Sequence, residues 1–181
     1  MRWITILVLL AGAVWIWLSR TTPGETISQI PAPRPGFLSP DFSLQTADGE
    51  TIRLSDLRGR PVLINVWASW CIPCRSEMPA LERVYQQYRD LGFEILGINS
   101  TVQDDPIKAV TFAKQQGLTF PILLDNEGKV TKTYQVRALP TSFFVDANGI
   151  IQEVVVGGPM SEALLRIRVA ELTGATQPEA P

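Results

Sequence analysis

The feature that most constrains this chain is a pair of cysteines two residues apart, Cys71 and Cys74, at the junction of a strand and a helix. Residues 61–68, just before the pair, are almost entirely apolar and predict a central buried strand. Residues 71–91 carry apolar side chains at helical spacing, which places the pair at a helix N-terminus. The free N–H groups and the helix dipole there favour a thiolate over a thiol, so the position suits redox chemistry.

Two uses of this cysteine pair are consistent with the sequence. In a redox role, Cys71 attacks a disulfide and Cys74 then resolves the mixed disulfide that results. In a structural role the pair is a permanent bridge, although so short a loop gains little from loop-closure entropy. The position at a helix start favours the redox role, and the structural bridge is the alternative.

The composition of the 181-residue chain excludes several other kinds of site. The sequence has no histidine and only these two cysteines, so it cannot supply a Cys/His zinc set or a Ser-His or Cys-His catalytic pair. We therefore expect no metal and no cofactor beyond the two thiols. The net charge of −2, without a long run of one sign, gives no indication of nucleic-acid binding.

The first twenty residues have the features of an export or membrane segment. Residues 3–18 contain no charged side chain, and tryptophans lie near both ends of this run. A helix over this run spans about 24 Å, somewhat less than the roughly 30 Å of a hydrocarbon core. We expect a single-pass signal anchor over residues 1–20 that places the rest of the chain on the extracytoplasmic side of the cell membrane. A secretory peptide cleaved near residues 11–13 and a buried core helix are the alternatives.

The remainder of the chain divides into three parts. Residues 21–38 are rich in proline, glycine, serine and threonine and predict a semi-extended spacer. Residues 39–174 alternate strand and helix patterns and predict one domain. Residues 175–181 predict a disordered tail.

Turn and capping signals give the order of the elements in this domain. Asp48-Gly49 and Asn148-Gly149 each separate two strand-like segments and predict hairpins. Asp105-Pro106 predicts the start of a helix that ends at Gly117. The resulting order is a hairpin, then β-α-β-α-β, then β-β-α, which predicts an α/β fold with a mixed central sheet and helices on both faces. Further strand or helix patterns cover residues 93–99, 120–124, 130–135 and 161–172.

The motifs around the cysteine pair resemble those of one known superfamily. Residues 65–74 read Asn-Val-Trp-Ala-Ser-Trp-Cys-Ile-Pro-Cys and are followed by Glu77-Met78-Pro79, with Leu139-Pro140-Thr141 later in the chain. This pattern, behind an exported N-terminus, resembles the thioredoxin superfamily, and within it the TlpA/ResA/CcmG-type membrane-anchored thiol-disulfide oxidoreductases. The similarity covers residues 40–173. It implies a thioredoxin-like fold with an extra N-terminal β-hairpin and a βα insertion.

The resemblance implies roles for the residues of the active-site helix. Cys71 would be the exposed nucleophile and Cys74 the buried resolving thiol of a redox-active disulfide. Trp70 would pack beside the disulfide, and Pro73 would tune the dithiol. Pro79 would kink the helix, since a proline there removes one backbone hydrogen bond.

The resemblance also implies a substrate-binding segment around Pro140. The peptide bond before Pro140 would be cis, and the proline would face the disulfide with Leu139 and Thr141 beside it. Substrate peptides in this superfamily pair with that edge by strand addition.

Glu77 matches a glutamate near the active site of ResA-like proteins, one helical turn after Cys74. There it would be a partly buried carboxylate that exchanges a proton with Cys74. A solvated acid that interacts with the helix dipole is the alternative. Asn65 stands where thioredoxin itself carries a buried aspartate, and because asparagine cannot titrate, attention moves to Glu77. Arg75 either stabilises the Cys71 thiolate or is a solvated helix charge.

The resemblance implies an extracytoplasmic reductant of protein disulfides, such as the haem-binding CxxCH cysteines of apocytochrome c in cytochrome c biogenesis. Its electrons would come from a membrane thiol donor. The Ile72-Pro73 dipeptide lacks the histidine common in oxidants of this superfamily, which favours reduction. A general oxidant or reductant of broad specificity and a non-catalytic anchored binding module are the alternatives. A peroxidase is disfavoured, because Ala68 occupies the position of the threonine that it needs.

Overall fold

The structure, a computed structural model, describes residues 30–175 without a gap, together with six exposed helical residues between positions 3 and 15. Most of the predicted anchor, the first nine residues of the predicted spacer and the predicted tail beyond residue 175 lie outside the described residues. Within the described part of the chain, no helix is both long enough and apolar enough to cross a membrane.

A mixed sheet of seven strands forms the centre of the domain. The strands are β1 (Ser43–Thr46), β2 (Thr51–Arg53), β3 (Val62–Trp67), β4 (Glu94–Asn99), β5 (Ile122–Leu124), β6 (Thr141–Val145) and β7 (Ile151–Val156). Their order across the sheet is β2-β1-β5-β4-β3-β6-β7. β3 runs parallel to β4 and antiparallel to β6, and the β1–β2 and β6–β7 hairpins form the two edges.

Four helices cover both faces of this sheet within the described residues. They are α1 (Ile72–Tyr88), α2 (Pro106–Gln115), α3 (Lys129–Thr133) and α4 (Glu162–Thr173). Helices α1, α2 and α4 contribute to the core on one face, and α3 contributes to the core on the other. Because successive strand residues point to opposite faces, Leu63 and Trp67 of β3 enter the first core, whereas Ile64 and Val66 enter the second. The predicted α/β architecture is confirmed.

Helix α1 begins at the cysteine pair, as the sequence predicts. Cys71 is its N-cap residue, and its Sγ accepts a hydrogen bond from the Cys74 backbone N–H at 3.3 Å. The α-helix ends at Tyr88 rather than at residue 91, and one 3₁₀ turn follows it. That turn ends at Gly92, whose φ of 87° is a left-handed conformation that glycine adopts at little cost.

The domain includes residues that the sequence assigned to the spacer. Gly36 N–H donates to Ile151 O, and Ile151 N–H donates to Phe37 O. Ser39 N–H donates to Gly149 O, so the contact continues to the turn of the β6–β7 hairpin. The composition of the proline-rich segment does not reveal these bonds, because their partners are backbone groups at the start of β7, more than 100 residues later in the chain. The predicted spacer over residues 21–38 therefore contains residues that are hydrogen-bonded to the domain.

Candidate active site

The two cysteines form a disulfide at the N-terminus of α1, with Cα atoms 5.3 Å apart. The bond lies beyond the carboxyl end of the central strand β3, where the chain turns into the helix. Cys74 is completely buried, whereas Cys71 is 4% exposed. Cys71 was expected to be exposed, but it is nearly as buried as Cys74. An incoming thiol or disulfide still reaches Cys71 first, and the roles of the attacking and the resolving cysteine stay a prediction.

Two large apolar side chains are exposed beside the disulfide. Trp70 is 56% exposed and Ile72 is 75% exposed, although Cys71 between them is buried. The Trp70 indole Nε1–H donates to Gln103 O at 2.9 Å, which holds the ring against the loop that follows β4. Trp70 thus lies beside the disulfide as expected, and it offers an apolar face to a partner.

A groove of about 550 Å³ opens beside Cys71. Residues 70–73 line it at the start of the active-site helix, and residues 136–139 line it from the segment before β6. Gln103 completes the lining. The groove therefore joins the expected redox residues, Pro73 included, to Leu139 of the expected substrate-binding segment.

Pro140 and Thr141 support this groove from within the domain. The Leu139–Pro140 peptide bond is cis, as the resemblance implies, and Pro140 is buried. Thr141 is also buried, and its hydroxyl donates to Ala138 O at 2.7 Å. The hydroxyl of Thr141 thus stabilises the groove wall, and its expected position beside the substrate stays a prediction.

Glu77 is completely buried, so its interpretation as a solvated acid is wrong. Its Oε1 accepts a hydrogen bond from Asn65 Nδ2 at 2.8 Å, and its Oε2 accepts one from Met160 N–H at 3.1 Å. Desolvation by burial raises the pKa of Glu77, and these two hydrogen bonds offset that rise only in part. Proton exchange between Glu77 and Cys74 stays a prediction, for which the structure provides a buried carboxyl one turn along α1.

Asn65 connects Glu77 to the neighbouring strand. Its Nδ2 also donates to the Ser142 hydroxyl at 2.9 Å, across the β3–β6 pair. The Asn65 Oδ1 atom is buried and has no hydrogen-bond partner within the described part of the chain. The residue that replaces the aspartate of thioredoxin therefore positions the carboxyl group of Glu77.

Arg75 is exposed and makes two contacts beside the active site. Its Nη1 donates to Ser69 O at 3.3 Å, and its guanidinium carbon lies 4.8 Å from the centroid of the Phe112 ring. These contacts place the cation on the α2 side of the active-site helix. Pro79 lies inside α1, as predicted, where it lacks a backbone N–H to donate.

Asp104 is a site residue that sequence analysis missed. Its carboxylate accepts four hydrogen bonds, from Ser69 N–H at 2.5 Å, Ser69 Oγ at 2.7 Å, Asn99 Nδ2 at 2.8 Å and Asp105 N–H at 2.8 Å. Burial by itself would raise the pKa of Asp104, but these hydrogen bonds outweigh it and hold the pKa below its ordinary value. Because Ser69 directly precedes Trp70, Asp104 fixes the backbone that enters the active site. The sequence signal that could have indicated Asp104 is its position just after β4, because β4 runs parallel to β3 and the two strands end side by side.

This arrangement supports thiol–disulfide exchange. In the reduced protein, the Cys71 thiolate attacks one sulfur of a substrate disulfide, and the substrate S–S bond breaks as a mixed disulfide forms. Cys74 then attacks Cys71, which releases the second substrate thiol and leaves the Cys71–Cys74 disulfide. Two electrons thus pass to the substrate. No cluster of His, Cys, Asp or Glu side chains suited to a metal ion occurs among the described residues.

A domain with this fold and this disulfide is a thiol-disulfide oxidoreductase with a thioredoxin-like fold. Residues 35–154 match the model of the AhpC/TSA family. The chain belongs to that family. It is also 37% identical over 157 residues to the thiol-disulfide oxidoreductase ResA of Geobacillus thermodenitrificans, a match that covers 87% of this chain and 86% of the relative.

Solved structures show the same fold. A thiol:disulfide interchange protein of the thioredoxin family from Chlorobium tepidum superposes with a TM-score of 0.69 at 29% identity, covering 81% of this chain and 99% of that one. A secreted disulfide oxidoreductase from Mycobacterium tuberculosis, described as homologous to DsbE, gives a TM-score of 0.66 at 28% identity. That match covers 72% of this chain and 96% of the other.

Proposed function

We propose that this oxidoreductase is an extracytoplasmic reductant of protein disulfides, held at the cell membrane by a single-pass anchor over residues 1–20. The observation that carries the proposal is the Cys71–Cys74 disulfide at the start of α1, in which Cys71 is slightly exposed and Cys74 is completely buried. The uncharged run over residues 3–18 supports the anchor. The secreted relative from Mycobacterium tuberculosis supports a location outside the cytoplasm.

The proposed substrate is the pair of haem-binding CxxCH cysteines of apocytochrome c, and the proposed electron source is a membrane thiol donor. An oxidising compartment drives neighbouring cysteines into disulfides, so a haem-attachment site there needs a dedicated reductant. The Ile72-Pro73 dipeptide places no cationic side chain between the two cysteines. A cation there would stabilise the Cys71 thiolate and make the protein more oxidising, so its absence supports reduction.

Trapping tests the proposed substrate. The full-length Cys74→Ser variant lacks the resolving thiol, so it should accumulate mixed disulfides through Cys71 in membranes of a cell that makes c-type cytochromes. Mass spectrometry should identify CxxCH peptides among the trapped partners. The Cys71→Ser/Cys74→Ser double variant is the matched control and should trap nothing. Trapped partners without any CxxCH peptide would contradict the apocytochrome c substrate, and no trapping at all would contradict the enzymatic role.

The direction of electron flow is tested on the full-length wild-type protein by equilibrating the Cys71–Cys74 pair with thiol buffers. We expect a reduction potential near the roughly −270 mV of thioredoxin or somewhat above it, as a reductant requires. A value near about −120 mV would indicate a disulfide donor instead. A value below about −300 mV would indicate a permanent bridge and a non-catalytic module.

A further inference from the structure

The two grooves that flank Trp70 are lined by cations and by no carboxylate. The groove beside Cys71 contains Arg137. A second groove of about 420 Å³ on the α2 side of Trp70 contains Arg75 and Lys108. Three other grooves on the described surface all include carboxylates in their lining. Since the whole chain carries a net charge of −2, composition alone does not explain this local excess of positive charge.

The carboxylates in the loop that borders these grooves are engaged elsewhere. Both oxygens of Asp104 accept hydrogen bonds from the active-site backbone and from Asn99, as described above. Asp105 is the N-cap of α2 and accepts hydrogen bonds from Ile107 N–H and Lys108 N–H. Its charge is partly balanced by the positive end of the helix dipole. Both acids keep their negative charge, but neither lines either groove.

Arg137 has no ion-pair partner among the described residues. It is exposed, and it stands in the groove wall opposite the active-site helix. Elsewhere in the domain the arginines that form ion pairs are Arg60, Arg83, Arg89, Arg166 and Arg168. Arg137 is thus a free charge within the groove that also contains Cys71.

Apolar side chains surround the same cations. Trp70 and Ile72 are exposed at the start of the active-site helix, and Ile107 is exposed in the segment that follows β4. A surface that combines large exposed apolar side chains with unpaired charge of one sign is typical of a recognition face.

We infer that this face recognises a disulfide-bearing segment of a substrate protein in which an acidic side chain and an apolar side chain flank the cysteines. The inference rests on the proposed function and specifies its substrate class. The segment lies extended in the groove beside Cys71, and its acidic side chain pairs with Arg137. Its apolar side chain packs against Trp70 and Ile72. The exchange chemistry is unchanged, and Arg137 determines which disulfide is presented to Cys71.

The test compares two model peptides that differ at one position. Each contains a CxxC disulfide with one leucine beside it, and the residue next to the first cysteine is glutamate in one peptide and lysine in the other. The reduced full-length protein should reduce the glutamate peptide about two to five times faster, as expected for one exposed ion pair. The ratio should approach one in about 1 M salt, where charges are screened within roughly 3 Å.

Substitutions assign this preference to one side chain. Arg137→Gln should bring the rate ratio close to one, and Arg137→Glu should invert it. Arg53→Gln removes the same charge from β2 at the far edge of the sheet and should leave the ratio unchanged. Both positions are exposed, and the circular dichroism spectrum of each variant verifies that it is folded.

The possible outcomes separate this inference from the function on which it rests. Equal rates for the two peptides in the wild type would overturn the inference and leave the reductase function intact. An equal loss of preference in Arg53→Gln would assign the effect to net charge and would also overturn it. Failure to reduce either peptide would overturn both.

Discussion

At the scale of single residues, Glu77 brings three parts of the domain together. Its carboxyl group accepts hydrogen bonds from Asn65 in β3 and from Met160 just before α4, while the residue itself belongs to α1. Gly158 provides the space that this contact needs. A Cβ atom at that position would lie 2.8 Å from Glu77 Oε2 and 2.7 Å from Pro140 Cγ. Because Gly158 has no side chain, both the Glu77 carboxyl group and the Pro140 ring can lie against its backbone.

The raised pKa of Glu77 predicts a pH-dependent stability. Above its ordinary value of 4.5 the unfolded chain releases this proton first, while the folded protein still retains it. The free energy of unfolding should therefore decrease as pH rises from about 4.5 through the folded-state pKa. Glu77→Gln cannot titrate and should lack this decrease. Urea unfolding at about pH 4 and about pH 7 measures the difference, and parallel changes in both proteins would contradict it.

The same variant tests whether Glu77 acts on the cysteines. If the buried carboxyl exchanges a proton with Cys74, the thiol titration of the reduced protein should shift in Glu77→Gln. An identical thiol titration in the two proteins would leave Glu77 with a structural role only.

At the scale of elements, the loop between β4 and α2 supports the active-site helix. Asp104 holds Ser69, and Gln103 O holds the Trp70 indole, so one loop fixes the two residues that precede Cys71. The loop follows β4, whereas the cysteines follow β3. The geometry of the disulfide region therefore depends on the parallel pairing of β3 with β4.

We predict that Asp104→Ala lowers both stability and reactivity. The substitution leaves the hydrogen-bond donors of Ser69 and Asn99 without the Asp104 carboxylate as acceptor. This loss should lower the free energy of unfolding by about 1–3 kcal/mol. Because the pKa of Asp104 is lowered, its contribution is present above pH 3.8 and is lost as pH falls through the folded-state pKa. Loss of the Ser69 contact should also slow the attack of Cys71 on a small neutral disulfide, measured by stopped-flow thiol exchange.

Asp105→Ala is the matched control for this prediction. It removes the adjacent carboxylate and the N-cap of α2, at a cost of about 1 kcal/mol, without touching Ser69. It should lower stability and leave the exchange rate unchanged. Equal exchange rates in wild type and both variants would show that Asp104 has no influence on the active site.

The elements were predictable because local signals determine them. Asp48-Gly49 and Asn148-Gly149 marked the two hairpins, and Asp105-Pro106 marked the start of α2, and all three are confirmed. The apolar run before Cys71 became the central strand for the same reason. The chemistry of a turn or a cap lies within a few residues, so a single sequence reveals it.

The environment of the site was less predictable because distant segments create it. Glu77 is buried by contact with Met160, 83 positions away, and Asp104 bonds to Ser69, 35 positions away. Neither separation leaves a pattern in the sequence. The cysteine pair and the cis proline were predicted, the latter only through the resemblance, whereas Asp104 and the groove position of Arg137 became visible only in the fold.

At the scale of the whole molecule, Tyr134 attaches the start of the domain to its core. Its hydroxyl donates to Pro40 O at 2.6 Å and is hydrogen-bonded to the Ser39 hydroxyl at 2.7 Å. Its ring packs edge-on against Phe143, with centroids 4.9 Å apart, and against Phe42. The segment that enters the domain is therefore held by side-chain contacts as well as by its backbone bonds to β7.

Tyr134→Phe should lower the free energy of unfolding by about 1–3 kcal/mol, because it keeps the ring but leaves buried groups of Ser39 and Pro40 without a partner. Tyr88→Phe is the matched control, since the Tyr88 hydroxyl is buried and has no partner within the described residues. Removing that hydroxyl should cost little or should stabilise the protein. Urea unfolding of the two variants compares them directly, and equal losses would contradict the role of Tyr134.

Residues 36–39, where the chain enters the domain, lie at the opposite end of the sheet from the disulfide. β3 runs towards Cys71, and β6 returns antiparallel to it, so the turn after β6 is separated from the cysteines by the length of a strand, about 20 Å. Residues 36–39 bind at that turn. The point where the chain enters the domain and the reactive disulfide are thus separated by the length of the sheet, so a substrate protein at Cys71 approaches the face of the molecule that lies away from the chain entry.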